Sequence, residues 1–192
     1  MRQLVFATNN QHKIEEVNAV LDGSFIVKSL DAIGCHEELE ETSDTLEGNA
    51  LQKARYVNQH YGVDCFSEDT GLEVNALDGA PGVITARYAG PQRNPADNIA
   101  LLLANLEDKS DRSARFRTII ALIINGNEYL FEGIVNGHIA LEPSGSGGFG
   151  YDPVFVPEGY NAPFAVLTAD VKNQISHRAR AVAALTEFLS RL

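Results

Sequence analysis

Two neighbouring carboxylates, Glu68 and Asp69, follow the apolar, strand-like pair Cys65-Phe66 and precede Thr70-Gly71. Adjacent carboxylates repel each other and are costly to bury unless a cation or hydrogen bonds compensate them. Mg²⁺ takes hard oxygen ligands, typically one or two carboxylates together with substrate phosphates. If the extended backbone persists, the two side chains point to opposite faces, so one can bind a metal while the other supports it. The pattern favours a metal site, and a turn capped by Asp69 is the alternative.

Six consecutive polar residues lie between a predicted strand and a predicted helix: Thr8, Asn9, Asn10, Gln11, His12 and Lys13. Backbone N–H groups at such a junction, with the positive end of the helix dipole, can bind an anion. Lys13 adds a full positive charge one turn into the helix. The glycines and the Gly-Lys-Ser/Thr ending of a Walker loop are absent. The segment is a candidate for binding phosphates, and a solvated helix cap explains the same residues.

Four carboxylates are concentrated in one short run: Glu37, Glu38, Glu40 and Glu41. Such a run is usually a solvated acidic surface, which is its simplest interpretation. Asn49 and Lys53 lie one turn apart on the next predicted helix and are expected to be exposed. By itself, this part of the sequence does not predict a binding site.

The stretch 144–153 contains four glycines, which permit a close approach of its backbone to a ligand. Phe149 and Tyr151 within it can stack on a nucleobase. A flexible hairpin loop is the alternative interpretation.

A last polar cluster combines Lys172 with Ser176, His177 and Arg178, and it is placed at the start of the final helix. His177 and Arg178 offer donors suited to a carbonyl or phosphate oxygen. Residues at a helix start are also often simply exposed.

Hydrophobic periodicity predicts the elements that carry these groups. Strands are expected at 3–7, 25–30, 65–66, 115–124 and 129–139, and the turn signal Asn125-Gly126 joins the last two in a hairpin. Helices with one apolar face are expected over 14–21, 46–61, 99–106 and 182–189, with Asn94-Pro95 beginning the third. The order indicates a single mixed α/β domain over residues 1–192, with helices flanking a sheet.

Composition excludes several classes of protein. The 192 residues are 44% hydrophobic, and apolar runs such as 119–124 are far too short to cross a bilayer. A net charge of −11 argues against nucleic-acid binding, which relies on clustered Lys and Arg. The two cysteines, Cys35 and Cys65, are expected to be reduced thiols, and a cytoplasmic location is expected because no secretory signal is recognisable.

Taken in order, these clusters resemble the inosine/xanthosine triphosphate pyrophosphatase family, and the match extends essentially from end to end. The matching stretches are Ala7 to Asn10 with Lys13, Glu41-Thr42 with Asn49-Ala50 and Lys53-Ala54, Ser67 to Leu72, Gly82 to Gly90, Gly148 to Pro153, and Ile175 to Arg178. The chain departs from the family pattern at Asn9, where glycine is frequent, at Glu68, where aspartate is frequent, and at Thr85, where serine is common.

The resemblance implies an elongated, two-lobed mixed β-sheet flanked by helices, with the active site in the cleft between the lobes, and a homodimer. It also implies hydrolysis of ITP, dITP and XTP to the monophosphate and pyrophosphate with Mg²⁺. The implied catalytic residues are Asp69, Lys13 and Lys53, and the implied metal ligands are Asp69 and Glu41, with Glu40 as second choice for the latter. The implied nucleotide-binding residues are Thr8, Asn9, Asn10, Gln11, His12, Lys13, Thr70, Phe149, Gly150, Tyr151, Asp152, Lys172, His177 and Arg178.

On this hypothesis, water oriented by Asp69 attacks the α-phosphorus, and donors near His177 and Arg178 recognise the 6-oxo group of the purine. Three other functions remain open. The first is a related pyrophosphatase acting on modified pyrimidine or methylated nucleotides, and the second is a regulator that binds a nucleotide without turning it over. The carboxylates Glu41, Glu68 and Asp69 argue against the regulator, since a triphosphate binder gains little from acidic residues without a metal. A phosphatase releasing orthophosphate is a further alternative.

Overall fold

The computed structural model describes residues 3–21, 23 and 25–192, and within them it contains six strands and five α-helices. The strands are β1 (Gln3–Phe6), β2 (Ile26–Lys28), β3 (Cys65–Val74), β4 (Ser113–Ile124), β5 (Asn127–Ile139) and β6 (Phe155–Pro157). The helices are α1 (Gln11–Leu21), α2 (Leu46–Tyr61), α3 (Pro95–Asn105), α4 (Ala169–Ile175) and α5 (His177–Leu189). The mixed α/β class expected from the sequence is confirmed.

The six strands form one mixed sheet in the order β2-β1-β3-β4-β5-β6. Strand β1 pairs in parallel with both β2 and β3, whereas β5 pairs with β6 in antiparallel fashion. The predicted hairpin between β4 and β5 is confirmed, and its turn residues Asn125 and Gly126 have φ angles of 51° and 77°. Positive φ at both central residues is what a tight two-residue hairpin turn requires.

Three of the predictions about strands and helices were wrong. Strand β2 is shorter than the predicted 25–30, whereas β3 continues to Val74, so Ser67 to Gly71 lie within a strand rather than at its end. The third error concerns Lys172, which lies on α4 and not on the final helix, because Ser176 is extended (φ −66°, ψ 158°) and separates the two helices. Central β3 has a neighbour on each side, and this pairing extends it through a polar stretch that propensity would end.

Helix ends follow the capping residues in the sequence. Thr45 begins α2 by accepting a 3.0 Å hydrogen bond from the backbone N–H of Gly48, and Asn94 begins α3 by accepting one from Asp97. Gly62 ends α2 with a left-handed φ of 63°. Among the described residues, none of the helices is long and apolar enough to cross a membrane.

The chain divides into two compact units, each with its own core. Unit 1 comprises residues 1–69, 118–133 and 177–192, and unit 2 comprises residues 70–117 and 134–176. The core of unit 1 is built from β1, β3, β4, α1 and α5, and includes Phe6, Val17, Phe66, Ile120, Val182 and Leu185. The core of unit 2 includes Leu72, Leu102, Phe116, Tyr151, Phe155 and Phe164.

In unit 1, the start of helix α5 lies against β5 at Gly133. A Cβ atom added at this glycine would overlap the main-chain oxygen of His177 and lie 2.5 Å from the nitrogen of Ala181. Because both of these atoms belong to the backbone, neither can rotate away. Gly133 therefore sets how closely the beginning of α5 approaches the sheet.

We expect Gly133→Ala to lower the free energy of unfolding by about 1–3 kcal/mol, because the added methyl group forces α5 away from β5. Urea denaturation followed by circular dichroism measures this change. Asn136→Ala, at an exposed position of the same strand, is the control and should differ little from the original protein. Equal stability of the two variants would contradict the close approach.

Candidate active site

The segment between β1 and α1 is organised by its own side chains. Thr8 Oγ1 accepts a hydrogen bond from Asn10 N (3.1 Å), and Asn10 Oδ1 accepts one from Lys13 N (3.3 Å), so Asn10 caps the helix. Asn9 is not among the described non-glycine residues with positive φ, so this position does not require the backbone freedom of a glycine. Thr8 and Lys13 are half-buried, whereas the four residues between them are exposed. The segment offers exposed polar groups beside a lysine, as anion binding requires.

The strand conformation persists through Glu68 and Asp69, so their side chains point to opposite faces, as predicted. Glu68 is fully paired in the interior of unit 1. Its carboxylate lies 2.6 Å from Lys13 Nζ, 2.9 Å from Arg178 Nε and 3.1 Å from Arg178 Nη2. Burial alone would raise the pKa of Glu68, but the charges of Arg178 and Lys13 and their hydrogen bonds hold it far below its usual value. Glu68 therefore remains an anion that fixes two cations.

Arg178 is only 2% exposed, which is unusual for a charged side chain. Besides Glu68, its guanidinium donates through Nη1 to Glu16 on helix α1. Burial would lower the pKa of Arg178, but the charges of Glu68 and Glu16 raise it above its usual value. The sequence interpretation missed Glu16, although its position one turn after Lys13 places both residues on the same side of α1.

Asp69 lies in a different environment from that of its neighbour Glu68. Lys53 Nζ is 3.9 Å from its Oδ1, and its Oδ2 is buried without a hydrogen-bond partner among the described residues. Burial raises the pKa of Asp69 to about 6, opposed by the charge of Lys53 and assisted by the negative charge of Glu41. A hydrogen bond from Asn49 also lowers it. Asp69 is thus an incompletely compensated carboxylate with one buried oxygen that lacks a hydrogen-bond partner among the described residues.

Lys53 connects the acidic run to strand β3. Its ammonium donates to Glu41 Oε1 at 2.6 Å and to the main-chain oxygen of Glu68 at 2.7 Å. Only 6% of Lys53 and 2% of Asn49 are exposed, so the expectation that both are exposed was wrong. The signal was present in the sequence, because positions three and seven after Leu46 belong to the same helix face as Ala50 and Ala54.

The carboxylates around Lys53 fit a magnesium ion. Asp69 supplies an unsatisfied buried oxygen, and Glu41 is half-buried beside it, whereas Glu40 is exposed. In residues 3–21, 23 and 25–192, no group of three or more His, Cys, Asp and Glu side chains is arranged to hold a metal. Mg²⁺ is commonly held by one or two carboxylates, with phosphates and water completing the coordination. The donor set therefore suits Mg²⁺ with a phosphate ligand, and its geometry favours Glu41 over Glu40.

Unit 2 carries most of the remaining candidate residues. Asp152 Oδ2 accepts hydrogen bonds from Lys172 Nζ (2.6 Å) and from the backbone N–H of Phe149 (2.9 Å), and a Cβ added at Gly148 would overlap this oxygen. The ammonium of Lys172 also lies 4.7 Å from the centre of the Phe149 ring. The glycine-rich loop is therefore fixed around Asp152, which places a half-buried aromatic face beside a buried cation.

The other predicted residues, Tyr151, Thr70 and His177, are buried or half-buried. In unit 2, buried Tyr151 donates from its hydroxyl to the main-chain oxygen of Thr85 (2.7 Å), and Thr70 is half-buried. In unit 1, His177 is 4% exposed at the start of α5. The predicted residues thus divide between the units: 8–13, Glu41, Lys53, Asp69, His177 and Arg178 in unit 1, and Thr70, 149–152 and Lys172 in unit 2.

Comparison with known proteins assigns the family. The model of the Ham1 family matches residues 4–188. The chain belongs to the Ham1 family. A dITP/XTP pyrophosphatase of Flavobacterium psychrophilum is 53% identical over 186 residues, which cover 97% of this chain and 98% of that protein. One of Porphyromonas gingivalis is 54% identical over 190 residues, with 98% of each chain covered.

A solved structure supports the same assignment. The HAM1 protein of Coxiella burnetii aligns over 100% of both chains with a TM-score of 0.92 and 36% sequence identity. The chain therefore has the same fold as the solved structure of the Coxiella burnetii protein. The resemblance recognised from six short motifs is confirmed over nearly the whole chain.

In the absence of divalent ions, we expect Asp69→Asn to stabilise the protein at neutral pH. The pKa of Asp69 is raised by folding from 3.8 to about 6, so the stability associated with its protonated form is fully present below pH 3.8 and is lost as the pH rises through 6. The loss is on the order of 3 kcal/mol. Urea denaturation in EDTA between pH 4 and 8 should show the advantage of the variant growing up to about pH 6 and remaining constant above it.

The control for this experiment is Asp108→Asn, which removes one carboxylate from an exposed position. Subtracting the two stability curves at each pH cancels titrations that the variants share. An advantage of Asp69→Asn that does not change between pH 4 and 8 would contradict the destabilising burial of this carboxylate.

Proposed function

We propose that this chain hydrolyses the deaminated purine nucleotides ITP, dITP and XTP to the nucleoside monophosphate and pyrophosphate, with Mg²⁺ as its cofactor. The observation that carries the proposal is the buried, unsatisfied oxygen of Asp69 beside Lys53 and Glu41. Relatives about half identical in sequence are named dITP/XTP pyrophosphatases. Removal of these nucleotides from the cellular pool is the corresponding biological role.

The triphosphate is bound by residues 8–13, where exposed polar groups adjoin the half-buried ammonium of Lys13. Lys13 and Lys53 offset the charge of the phosphates, and Glu41 and Asp69 would hold Mg²⁺. When bound, the ion would further neutralise the phosphate oxygens and the departing pyrophosphate. Three of these four groups are carried by α1, α2 and β3, and Glu41 lies in the irregular segment before α2.

The chemical step is a displacement at the α-phosphorus. A water molecule oriented by the Asp69 carboxylate forms the new bond to phosphorus, while the bond to the oxygen bridging to the β-phosphate breaks. The proton of the water passes to Asp69, and the electron pair of the broken bond leaves on pyrophosphate. Because placement and electrostatics supply most of the catalysis, the fixed positions of Lys13 and Lys53 are as important as the base.

The nucleoside is bound by Thr70, by the loop from Phe149 to Asp152, by Lys172 and by the segment His177-Arg178. Donors of that segment meet the 6-oxo group of hypoxanthine or xanthine. Adenine carries an amino group there and would leave a buried donor unpaired, at a cost of about 1–3 kcal/mol.

The proposal includes the arrangement around the nucleotide. The residues proposed for the phosphates and the metal belong to unit 1, as do His177 and Arg178, which are proposed for the 6-oxo group, whereas Thr70, the loop from Phe149 to Asp152 and Lys172 belong to unit 2. The chain acts as a cytoplasmic homodimer with no nucleic-acid or membrane partner. The dimer follows from the family resemblance, and the net charge of −11 speaks against nucleic acid as a partner.

With ITP and Mg²⁺, we expect one pyrophosphate to be released for each nucleotide consumed. Orthophosphate should therefore be detected only after an inorganic pyrophosphatase is added to the reaction. Asp69→Asn protein prepared in the same way controls for contaminating phosphatases. Release of orthophosphate without the added enzyme would contradict cleavage at the α-phosphorus, and equal kcat/KM for ATP and ITP would contradict the proposed selectivity.

We expect Asp69→Asn to lower kcat for ITP by about 10²- to 10⁴-fold, because an amide cannot accept the proton of the attacking water. The KM should change much less, since Lys13 and Lys53 remain. Steady-state kinetics at saturating Mg²⁺ measures both constants, and Asp108→Asn serves as the matched control. Turnover close to that of the original protein would remove Asp69 from its catalytic role.

A further inference from the structure

The acidic run belongs to a segment, residues 37–43, that contains no helix or strand. Side chains of α2 hold this segment at both ends. Near its start, the carboxylate of Glu37 accepts hydrogen bonds from the hydroxyls of Tyr56 (3.3 Å) and Tyr61 (2.9 Å). At its end, the backbone N–H of Ser43 donates to Asn49 Oδ1 at 2.8 Å. The path of segment 37–43 is thus determined by α2.

The contact nearest to Glu41 is made by Gln52 and the next residue, Thr42. Gln52 Oε1 accepts a hydrogen bond from the backbone N–H of Thr42, and Gln52 Nε2 donates to its hydroxyl, both at 2.9 Å. One amide therefore fixes the backbone and the side chain of the same residue. Two simultaneous bonds define an orientation that a single bond would leave free.

This orientation restrains the main chain of Glu41, since its carbonyl group and Cα share a peptide plane with the N–H of Thr42. Ser43 packs so closely on the first turn of α2 that a Cβ added at Gly48 would overlap its hydroxyl. Glu41 then reaches Lys53, one residue beyond Gln52, at 2.6 Å. Segment 37–43 consequently has little freedom on either side of Glu41.

We propose that Gln52 is a positioning residue for the metal site, because its amide holds Thr42 and so keeps the Glu41 carboxylate ready for Mg²⁺ before the ion binds. The inference rests on the proposed role of Glu41 as a metal ligand. Without the two hydrogen bonds, residues 40–42 sample other conformations in the free protein. Binding must then select the competent fraction, which weakens the apparent affinity for the ion.

The test is the binding of Mn²⁺, as a spectroscopic substitute for Mg²⁺, to the protein without nucleotide. Free Mn²⁺ is measured by electron paramagnetic resonance. We expect Gln52→Leu, which removes both hydrogen-bonding groups and keeps a similar helix propensity, to raise the dissociation constant about three- to tenfold. The Mg²⁺ concentration for half-maximal hydrolysis of ITP should rise by a similar factor, with kcat and KM at saturating Mg²⁺ little changed.

Three further variants separate positioning from general stabilisation. Gln59→Leu makes the same substitution at an exposed position of α2 and should leave Mn²⁺ affinity unchanged. Thr42→Val removes only the hydroxyl contact and should weaken affinity less than Gln52→Leu does, with no further effect in the Gln52→Leu background. Thr42→Ser keeps both contacts and should bind Mn²⁺ as the original protein does. If Gln52→Leu does not fold, the two Thr42 variants still decide the question.

Glu41→Gln distinguishes failure of this inference from failure of the proposed metal site. If Glu41→Gln weakens Mn²⁺ binding and Gln52→Leu lowers only the melting temperature, the positioning role of Gln52 is overturned and the metal site stands. If Glu41→Gln leaves Mn²⁺ binding unchanged, both are overturned. Parallel loss of affinity in Gln52→Leu and, to a smaller degree, in Thr42→Val supports the inference.

Discussion

The burial of two successive carboxylates on β3 is the constraint on which the candidate site depends. Glu68 is compensated completely, by the ammonium of Lys13 and the guanidinium of Arg178. Asp69 is compensated only in part, by Lys53 at 3.9 Å and by Asn49. A buried charge without full compensation is costly, so this imbalance favours any cation that reaches Asp69. Strand alternation makes the two environments different, because it directs successive side chains to opposite faces.

The cations are carried by three helices of unit 1. Two of these helices, α1 and α5, come from opposite ends of the sequence and meet in the core of that unit. Lys13 is carried by α1, Lys53 by α2 and Arg178 by α5, and the apolar faces of α1 and α5 share one core. Glu16 reinforces this arrangement, since it links α1 to the first turn of α5 through Arg178. Removing a partner from such a buried network leaves an unpaired charge, which is far more costly than losing a surface ion pair.

Much of the fold was predicted from the sequence, and the correct predictions rest on interactions between residues that are close together in the chain. The caps Thr45 and Asn94 and the turn at Asn125-Gly126 act within a few residues, so their consequences are readable from the chain. Strand β3 was predicted too short because its extent depends on pairing with the strands on either side. Helix α4 was missed although its ends are local, since Thr168 caps its start and the extended Ser176 ends it. Apolar periodicity says which face is buried, but a strand paired on both sides can bury polar residues that would otherwise end it.

The candidate residues were identified from sequence motifs. The ion pairs between them could not be predicted in this way. The sequence shows that Glu68 is acidic and that Lys13 and Arg178 are basic. It does not show that Glu68 forms ion pairs with both of them. Burial adds information that composition lacks, because a charged group in the interior must be satisfied by particular partners. Asp69 is a buried charged group whose partners do not fully satisfy it, since its environment destabilises the charged form. Such a residue lowers stability unless another component supplies the missing charge, and strain of this kind is characteristic of positions that act on a ligand.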